Sequence, residues 1–320
     1  MTPISIGKLR GLQQCTSPQG TFTCLALDHR QNLRRALRPQ DASAVTDAEL
    51  SAFKLEVVSA LAESATAVLL DPEVSAAQSI AAGSLPGRVG LVVALESTGY
   101  GGDPTARQSQ LLPGWSVEKA KRMGASMVKL LVYYHPKSPT APRIEDFVQQ
   151  VADECRRLDL GLMLEPLSYP LEAGTNLSSA EKRRVVPETA RRLVVPGVDI
   201  LKAEFPLDVL ADEDERAWAE ACAEISAASP APWILLSAAV DYARYVRQVT
   251  AACEAGASGI AVGRAVWQEA VGMEGQARLD FLRTTAQARL TNLAELCCRQ
   301  AKPVQRFYSA EAPFDWYQTY

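Results

Sequence analysis

Six ionisable residues fall inside short apolar, β-branched runs where charge is costly: Asp28, Glu96, Lys129, Glu165, Lys202 and Glu204. Strands buried on both faces should read as nearly continuous apolar runs, so these charges need a reason. Two lysines near one carboxylate suit imine chemistry. A free lysine near pKa 10.4 is almost wholly protonated at pH 7, and nucleophilic attack on a carbonyl wants that value lowered by about 3, roughly 4 kcal/mol. Desolvation and a second cation push that way, so Lys129 beside Lys202 could help, while opposing carboxylates push back. A carboxyl group such as Glu165 can then move protons during imine formation, carbon–carbon cleavage and hydrolysis. The bland alternative is a buried network that only neutralises itself. The number of charges and their shared position favour a functional site.

Convergence depends on the elements that carry these residues. Eight strand-like runs occupy 21–28, 67–71, 89–96, 127–134, 161–166, 198–206, 233–237 and 259–263. Helical patterns lie between and after them, at 47–64, 116–123, 143–158, 180–193, 214–228, 242–255 and 275–299. Ser116 reads as a helix N-cap and Gly124 as that helix's closing residue. Alternating strands and helices predict a parallel sheet, and eight units predict a closed (β/α)8 TIM barrel. An open doubly wound sheet usually has fewer strands and a nucleotide-binding glycine turn. The expected organisation is one domain over 1–320, with an aromatic C-terminal tail from about 303 to 320. Strands 4, 5 and 6 are neighbours about 4.8 Å apart, so Lys129, Glu165 and Lys202 meet if all three point into the mouth. Lys202 and Glu204, two apart, share a face.

Barrel chemistry sits at the C-terminal strand ends and in the loops beyond them. Two of those loops are long, 99–115 and 135–142; each could be a lid or a tolerated insertion. Ser237, Ala238 and Ala239 follow strand 7, and Gly263 and Arg264 follow strand 8, where barrels often hold phosphate. Small residues let backbone N–H groups approach oxygens, and an arginine adds a charged fork.

Composition removes other classes. The chain has 320 residues, 48% hydrophobic and 22% charged, with net charge −4. These are globular proportions without the basic footprint of a nucleic-acid or anionic-lipid binder. No apolar run reaches the roughly 18 residues of a membrane span, and no signal-peptide core is visible at the start. A soluble, cytoplasmic protein is expected. Seven cysteines, mostly within apolar patterns, read as buried reduced thiols. With only His29 and His135 present, no three-imidazole zinc site can be built within one chain. The usual glycine motifs for dinucleotides and triphosphates are missing, as is a serine-nucleophile elbow. Six of the 21 aromatic residues lie in the last 14 positions, which predicts docking on the barrel or a neighbouring subunit.

The motifs resemble a known family. They include Ala26-Leu27-Asp28-His29-Arg30, Leu69-Leu70-Asp71-Pro72-Glu73, Glu96-Ser97-Thr98-Gly99-Tyr100 and Leu112-Pro113-Gly114-Trp115. Val128-Lys129-Leu130-Leu131, Leu164-Glu165-Pro166-Leu167, Leu201-Lys202-Ala203-Glu204, Leu236-Ser237-Ala238-Ala239 and Gly263-Arg264-Ala265 follow in order. Over about residues 20 to 300 the chain resembles the tagatose 1,6-bisphosphate aldolases, class I (β/α)8 enzymes related to sulfofructose phosphate aldolases. The resemblance implies Lys202 as the Schiff-base lysine and Glu165 as the proton-transfer residue, a choice between lysines that spacing leaves open. It implies that Asp28, Glu96 and Lys129 line the same pocket and that Ser237, Gly263 and Arg264 hold a phosphate; His29, Arg30, Glu204 and Ala238 beside them are further expected substrate contacts. It also implies a ketose bisphosphate cleaved to dihydroxyacetone phosphate and glyceraldehyde 3-phosphate. No metal or separate cofactor is then needed, since the imine on Lys202 is the electron sink. The expected partner is a small sugar phosphate, not nucleic acid or membrane, and a homo-oligomer is expected. The family carries Gln where His29 stands and Lys where Ser97 stands, so departures fall at the rim that selects substrate. The rival readings are a sulfofructose phosphate aldolase or other imine-forming lyase, and a sugar-phosphate-sensing regulator.

Overall fold

The computed structural model of the chain describes residues 1–238, 240–318 and 320. Among these, eight parallel strands close a barrel: β1 (Phe22–Ala26), β2 (Ala67–Leu70), β3 (Gly90–Ala94), β4 (Met127–Tyr134), β5 (Gly161–Ser168), β6 (Ile200–Ala203), β7 (Trp233–Leu236) and β8 (Gly259–Val262). They pair in chain order, with β8 returning to β1. Helices cover the outside and pack their apolar stripes on the strands' outward faces.

The inward faces explain where the charges went. Cys24, Val92, Met127, Met163, Ile200, Ile234 and Ala261 fill the lower interior. Two residues further along β4, β5 and β6 come Lys129, Glu165 and Lys202. A period of two keeps these on the same inward face, so the lining changes from apolar to ionic as the barrel opens. Asp28, Glu96 and Glu204 extend the pattern but lie just beyond β1, β3 and β6, not inside strands as the sequence pattern predicts. Composition marks the apolar run, whereas hydrogen-bonded partners decide where the ladder stops.

Several helices escape the sequence pattern, including one before the first barrel strand. That helix, α1 (Ile6–Cys15), plugs the bottom with Leu12 and Cys15. Lys8 on α1 pairs with buried Asp199 at 2.8 Å, and Asp199 also accepts a 2.8 Å bond from the Leu162 N–H. The helical pattern over 275–299 is interrupted by a π-helical segment at Leu282–Ala286. The aromatic tail docks in part on this lower face. Tyr308–Ser309 pairs with Thr2–Pro3, Tyr308 donates to the Asp199 carbonyl at 2.6 Å, and the Tyr320 hydroxyl accepts from the Gly7 N–H at 2.9 Å. Phe314 and Tyr317 stay exposed. All seven cysteines are free, and only Cys298 is exposed.

One fully buried ion pair lies behind β2. Lys54, on α2 (Asp47–Leu61), meets Asp71, whose carboxylate also accepts the Glu73 and Val74 N–H groups at 3.0 and 2.8 Å. Asp71 thereby shapes the turn that presents Glu73. Lys54→Met should destabilise the protein by about 3–5 kcal/mol, because it strands a buried carboxylate. Urea unfolding should show Lys54→Met/Asp71→Asn losing less than the two single losses combined, since each single variant already breaks the shared pair.

Candidate active site

A cavity of about 330 Å³ opens at the C-terminal end of the barrel. All twelve site residues singled out above line it. Ala239 lies outside the described residues.

Its floor is a chain of charges. Lys129 Nζ stands 2.7 Å from Asp28 Oδ2, 2.7 Å from Glu96 Oε1 and 3.0 Å from Glu165 Oε2. The other Glu165 oxygen, Oε1, stands 2.8 Å from Lys202 Nζ. Glu165 therefore bridges the lysines. Strand register produces this contact: Leu164 pairs with Leu201, so Glu165 and Lys202 are the next step along adjacent strands. Across β4 and β5, Leu131 pairs with Glu165, which sets Lys129 below that carboxylate.

The two lysines differ in their surroundings. Burial opposes the Lys129 charge, but Asp28, Glu165 and Glu96 outweigh it and hold the ammonium well above the ordinary lysine range. Lys202 has Glu165 alone as an acidic neighbour within ion-pair distance among the described residues. Lys129 is thus a counter-ion to three carboxylates, so of the two effects that the sequence left in balance the opposing carboxylates prevail. For Glu165, burial raises the carboxyl pKa, yet Lys129 and Lys202 together hold it below the usual range. The same contest, with Lys129 the main cation, leaves Asp28 well below that range. Burial wins at Glu96 and raises it. Glu165 Oε2 touches Lys129 as an ion pair but without an aligned hydrogen bond, so an acceptor position is left at the cavity.

Two expected substrate contacts are engaged by the protein itself. Arg30 pairs with Glu73 and donates to the Glu96 carbonyl at 2.8 Å, tying the turn after β2 to the loop after β3. Glu204 accepts from the Ser168 N–H and hydroxyl at 2.7 and 2.6 Å, which ties β5 to β6. Both still form cavity wall. Arg264 is different: among the described residues it has no acidic partner, and burial lowers its pKa. Beside it the Gly263 N–H donates to Ser237 Oγ at 3.3 Å. A Cβ at Gly263 would sit 2.8 Å from the Ala26 carbonyl oxygen, so glycine is needed for the approach of β8 to β1. Ala238 has φ +39°, an uncommon conformation for a residue with a side chain.

His29 stacks edge-to-face on Trp267 with centroids 5.6 Å apart, and its Nδ1 is buried without a hydrogen-bond partner. Burial pushes the imidazole down to about 4, Arg264 and Lys202 add to the effect, and Asp28 opposes it. It is neutral near pH 7.

Ser97, placed at the rim by the sequence, lines the cavity, as do Gln31, Asn32, Thr98, Leu131 and Tyr133, which the sequence did not single out. Tyr133 could have been found, since it continues the inward alternation of Lys129 and Leu131. Gln31 and Asn32 begin a short helix, Gln31–Leu37, that the periodicity does not reveal. Among the described residues no group of three or more His, Cys, Asp or Glu side chains is arranged to hold a metal ion. Where Asp28, Glu96 and Glu165 converge, the cation is the Lys129 ammonium.

The model of the DeoC/LacD family aldolases matches residues 22–269, which span the barrel from β1 through β8. The chain belongs to the DeoC/LacD aldolase family. Among relatives, it is 30% identical over 326 residues to tagatose 1,6-diphosphate aldolase 2 of Enterococcus faecalis, covering 94% of this chain and 96% of that one. It is 29% identical over 333 residues to a tagatose 1,6-diphosphate aldolase of Listeria monocytogenes, covering 95% of each. The fold is shared with an archaeal fructose 1,6-bisphosphate aldolase at TM-score 0.60 and 22% identity, over 91% of this chain and 99% of that one. It is also shared with a Schiff-base-forming fructose-1,6-bisphosphate aldolase at TM-score 0.58 and 23% identity, over 88% and 99%. As a DeoC/LacD aldolase the protein is a lyase, with its ionic layer at the end of the barrel where such folds carry their chemistry.

Proposed function

We propose that this aldolase works through an imine on Lys202 and cleaves a ketose 1,6-bisphosphate, such as tagatose 1,6-bisphosphate, to dihydroxyacetone phosphate and glyceraldehyde 3-phosphate. The observation that carries the reading is the Lys202–Glu165–Lys129 chain, in which one lysine has a single carboxylate and the other has three. The substrate class comes from the relatives' names, and Arg264 beside Ser237 offers a place for one phosphate.

In this mechanism Lys202 passes a proton to Glu165 and its neutral amine attacks the C2 carbonyl. Glu165 returns a proton to the carbinolamine hydroxyl, which leaves as water, and a protonated imine remains. Loss of the C4 hydroxyl proton to a base breaks the C3–C4 bond. The electron pair moves into the imine and gives an enamine, while the aldehyde departs. Protonation at C3 and hydrolysis then release dihydroxyacetone phosphate and restore Lys202. Glu165, 2.8 Å from Nζ, is within proton-transfer reach throughout. Lys129 keeps Asp28 and Glu165 ionised and holds all three carboxylates in place. No helix among the described residues is long and apolar enough to cross a membrane, and the six buried free thiols suit the reducing cytoplasm in which we place the reaction.

Borohydride reduction with dihydroxyacetone phosphate tests the assignment, read by intact mass and peptide mapping. The expected result is one reduced adduct on Lys202 and none in Lys202→Met. An adduct on Lys129 would keep the chemistry and overturn the residue roles. No adduct with the ligand shown to occupy the cavity would sink the imine.

A further inference from the structure

Four cationic side chains line the cavity, and three are already matched by carboxylates: Arg30, Lys129 and Lys202. Arg264 can take one phosphate, which leaves the second phosphate of a bisphosphate without a cation on the cavity wall. A further arginine stands just outside. Arg107 sits on the hairpin Gly101–Asp103/Ala106–Gln108 that follows β3. It is half-buried, and its guanidinium carbon lies 4.4, 5.3 and 4.7 Å from the ring centroids of Tyr100, Tyr133 and Tyr169. Among the described residues it has no acidic partner; its Nε donates to the Pro104 carbonyl at 3.0 Å. An aromatic cage positions a guanidinium without neutralising it, and leaves its outer donors for an anion.

Topology gives this arginine its direction. Tyr133 is both a wall of the cage and a wall of the cavity, four residues beyond Lys129 on β4. Burial pushes the Tyr133 phenol up, while Arg107 and Lys129 pull it down. The hairpin is fastened there: the Tyr133 N–H donates to Ser109 Oγ at 2.9 Å, and Arg143 donates to Gln108 at 2.8 Å. In a ring of eight strands, β4 and β8 face each other. Arg264 at the end of β8 and Arg107 above the end of β4 therefore flank the mouth, with Lys202 on β6 and Glu165 on β5 between them.

We propose that Arg107 is the anchor for the distal phosphate of the substrate, so that a bisphosphate runs along the rim from Arg264 past Lys202 and Glu165 to the tyrosine cage. The inference rests on the ketose bisphosphate reading above. It makes Arg107 a specificity residue: it recognises the group that leaves with the aldehyde and stands apart from the bond that breaks.

The test compares the full chain with Arg107→Met and Arg107→Lys on a ketose 1,6-bisphosphate and on the matching ketose 1-phosphate. The readout is the ratio of kcat/KM for the two substrates. The native protein should favour the bisphosphate, and Arg107→Met should lower that ratio about 30-fold, mainly through KM, as loss of a charge-assisted partner predicts. Arg107→Lys should fall between, because charge survives without the planar fork. Cleavage of the 1-phosphate by either variant reports that its site is folded. A ratio unchanged in both variants, with the two substrates falling in parallel or not at all, would make Arg107 a fastener of the hairpin and overturn the proposal. A native protein with no preference would overturn it too. Cleavage of neither substrate by the native protein would instead overturn the bisphosphate reading and this inference with it.

Discussion

Lys202→Met should lower kcat for ketose bisphosphate cleavage by about 10⁴-fold or more, because the covalent route has no substitute nucleophile. Methionine keeps much of the length and volume of lysine but cannot attack a carbonyl. Lys129 cannot replace it. Its ammonium is held by Asp28, Glu96 and Glu165, and freeing an electron pair would require removing a proton that three carboxylates hold on the nitrogen. Substrate binding should change less than tenfold, since the phosphate contacts proposed at Arg264 and Arg107 remain. Glu165→Gln should lose about 10²–10⁴-fold, the usual range for a positioned proton-transfer group, and should leave borohydride trapping slower but still on Lys202. Steady-state kinetics with an aldehyde-product assay decides both. If Lys202→Met retained more than about a hundredth of native kcat, the imine on that residue would not lie on the reaction path.

Lys129→Met carries a large expected effect on stability, and its size depends on pH. Removing the ammonium leaves Asp28, Glu96 and Glu165, none more than 11% exposed, facing one another with their central cation gone. The loss should be about 3–5 kcal/mol near pH 8, where keeping these buried carboxylates charged costs most. In the native protein Asp28 and Glu165 sit below the ordinary carboxylate range. Their stabilisation is therefore present above about pH 4 and is lost as pH falls through their lowered values. In the variant Asp28 loses its main cation and is forced above that range, where burial already places Glu96, while Glu165 keeps Lys202. The folded state then binds more protons than the unfolded one, and stability falls as pH rises from about 4. Urea unfolding at pH 5 and pH 8 should show the variant more stable at the lower pH, by a larger margin than the native protein. A variant with equal stability at both values would mean that the carboxylates are not held by Lys129.

How these charges meet was only half legible in the chain. The (β/α)8 repeat and the class of chemistry follow from local pattern: eight apolar runs, and lysines and carboxylates inside or just after them, near one end of each. The sequence by itself therefore determined which residue types face the mouth, because a period of two puts Lys129 in line with Met127, and Glu165 with Met163. It did not decide between the lysines. That difference arises from strand register and barrel closure, which set Asp28, from the first strand, against Lys129 in the fourth. Likewise, nothing local predicts that Arg30 and Glu204 would be engaged by Glu73 and Ser168, or that Arg107 would be caged by tyrosines from three separate segments. The α1 plug also waits for a closed barrel to bury it. Hydrophobic alternation is written along the chain, whereas the partner of each charge is chosen across it, by contacts that exist only after the sheet has closed.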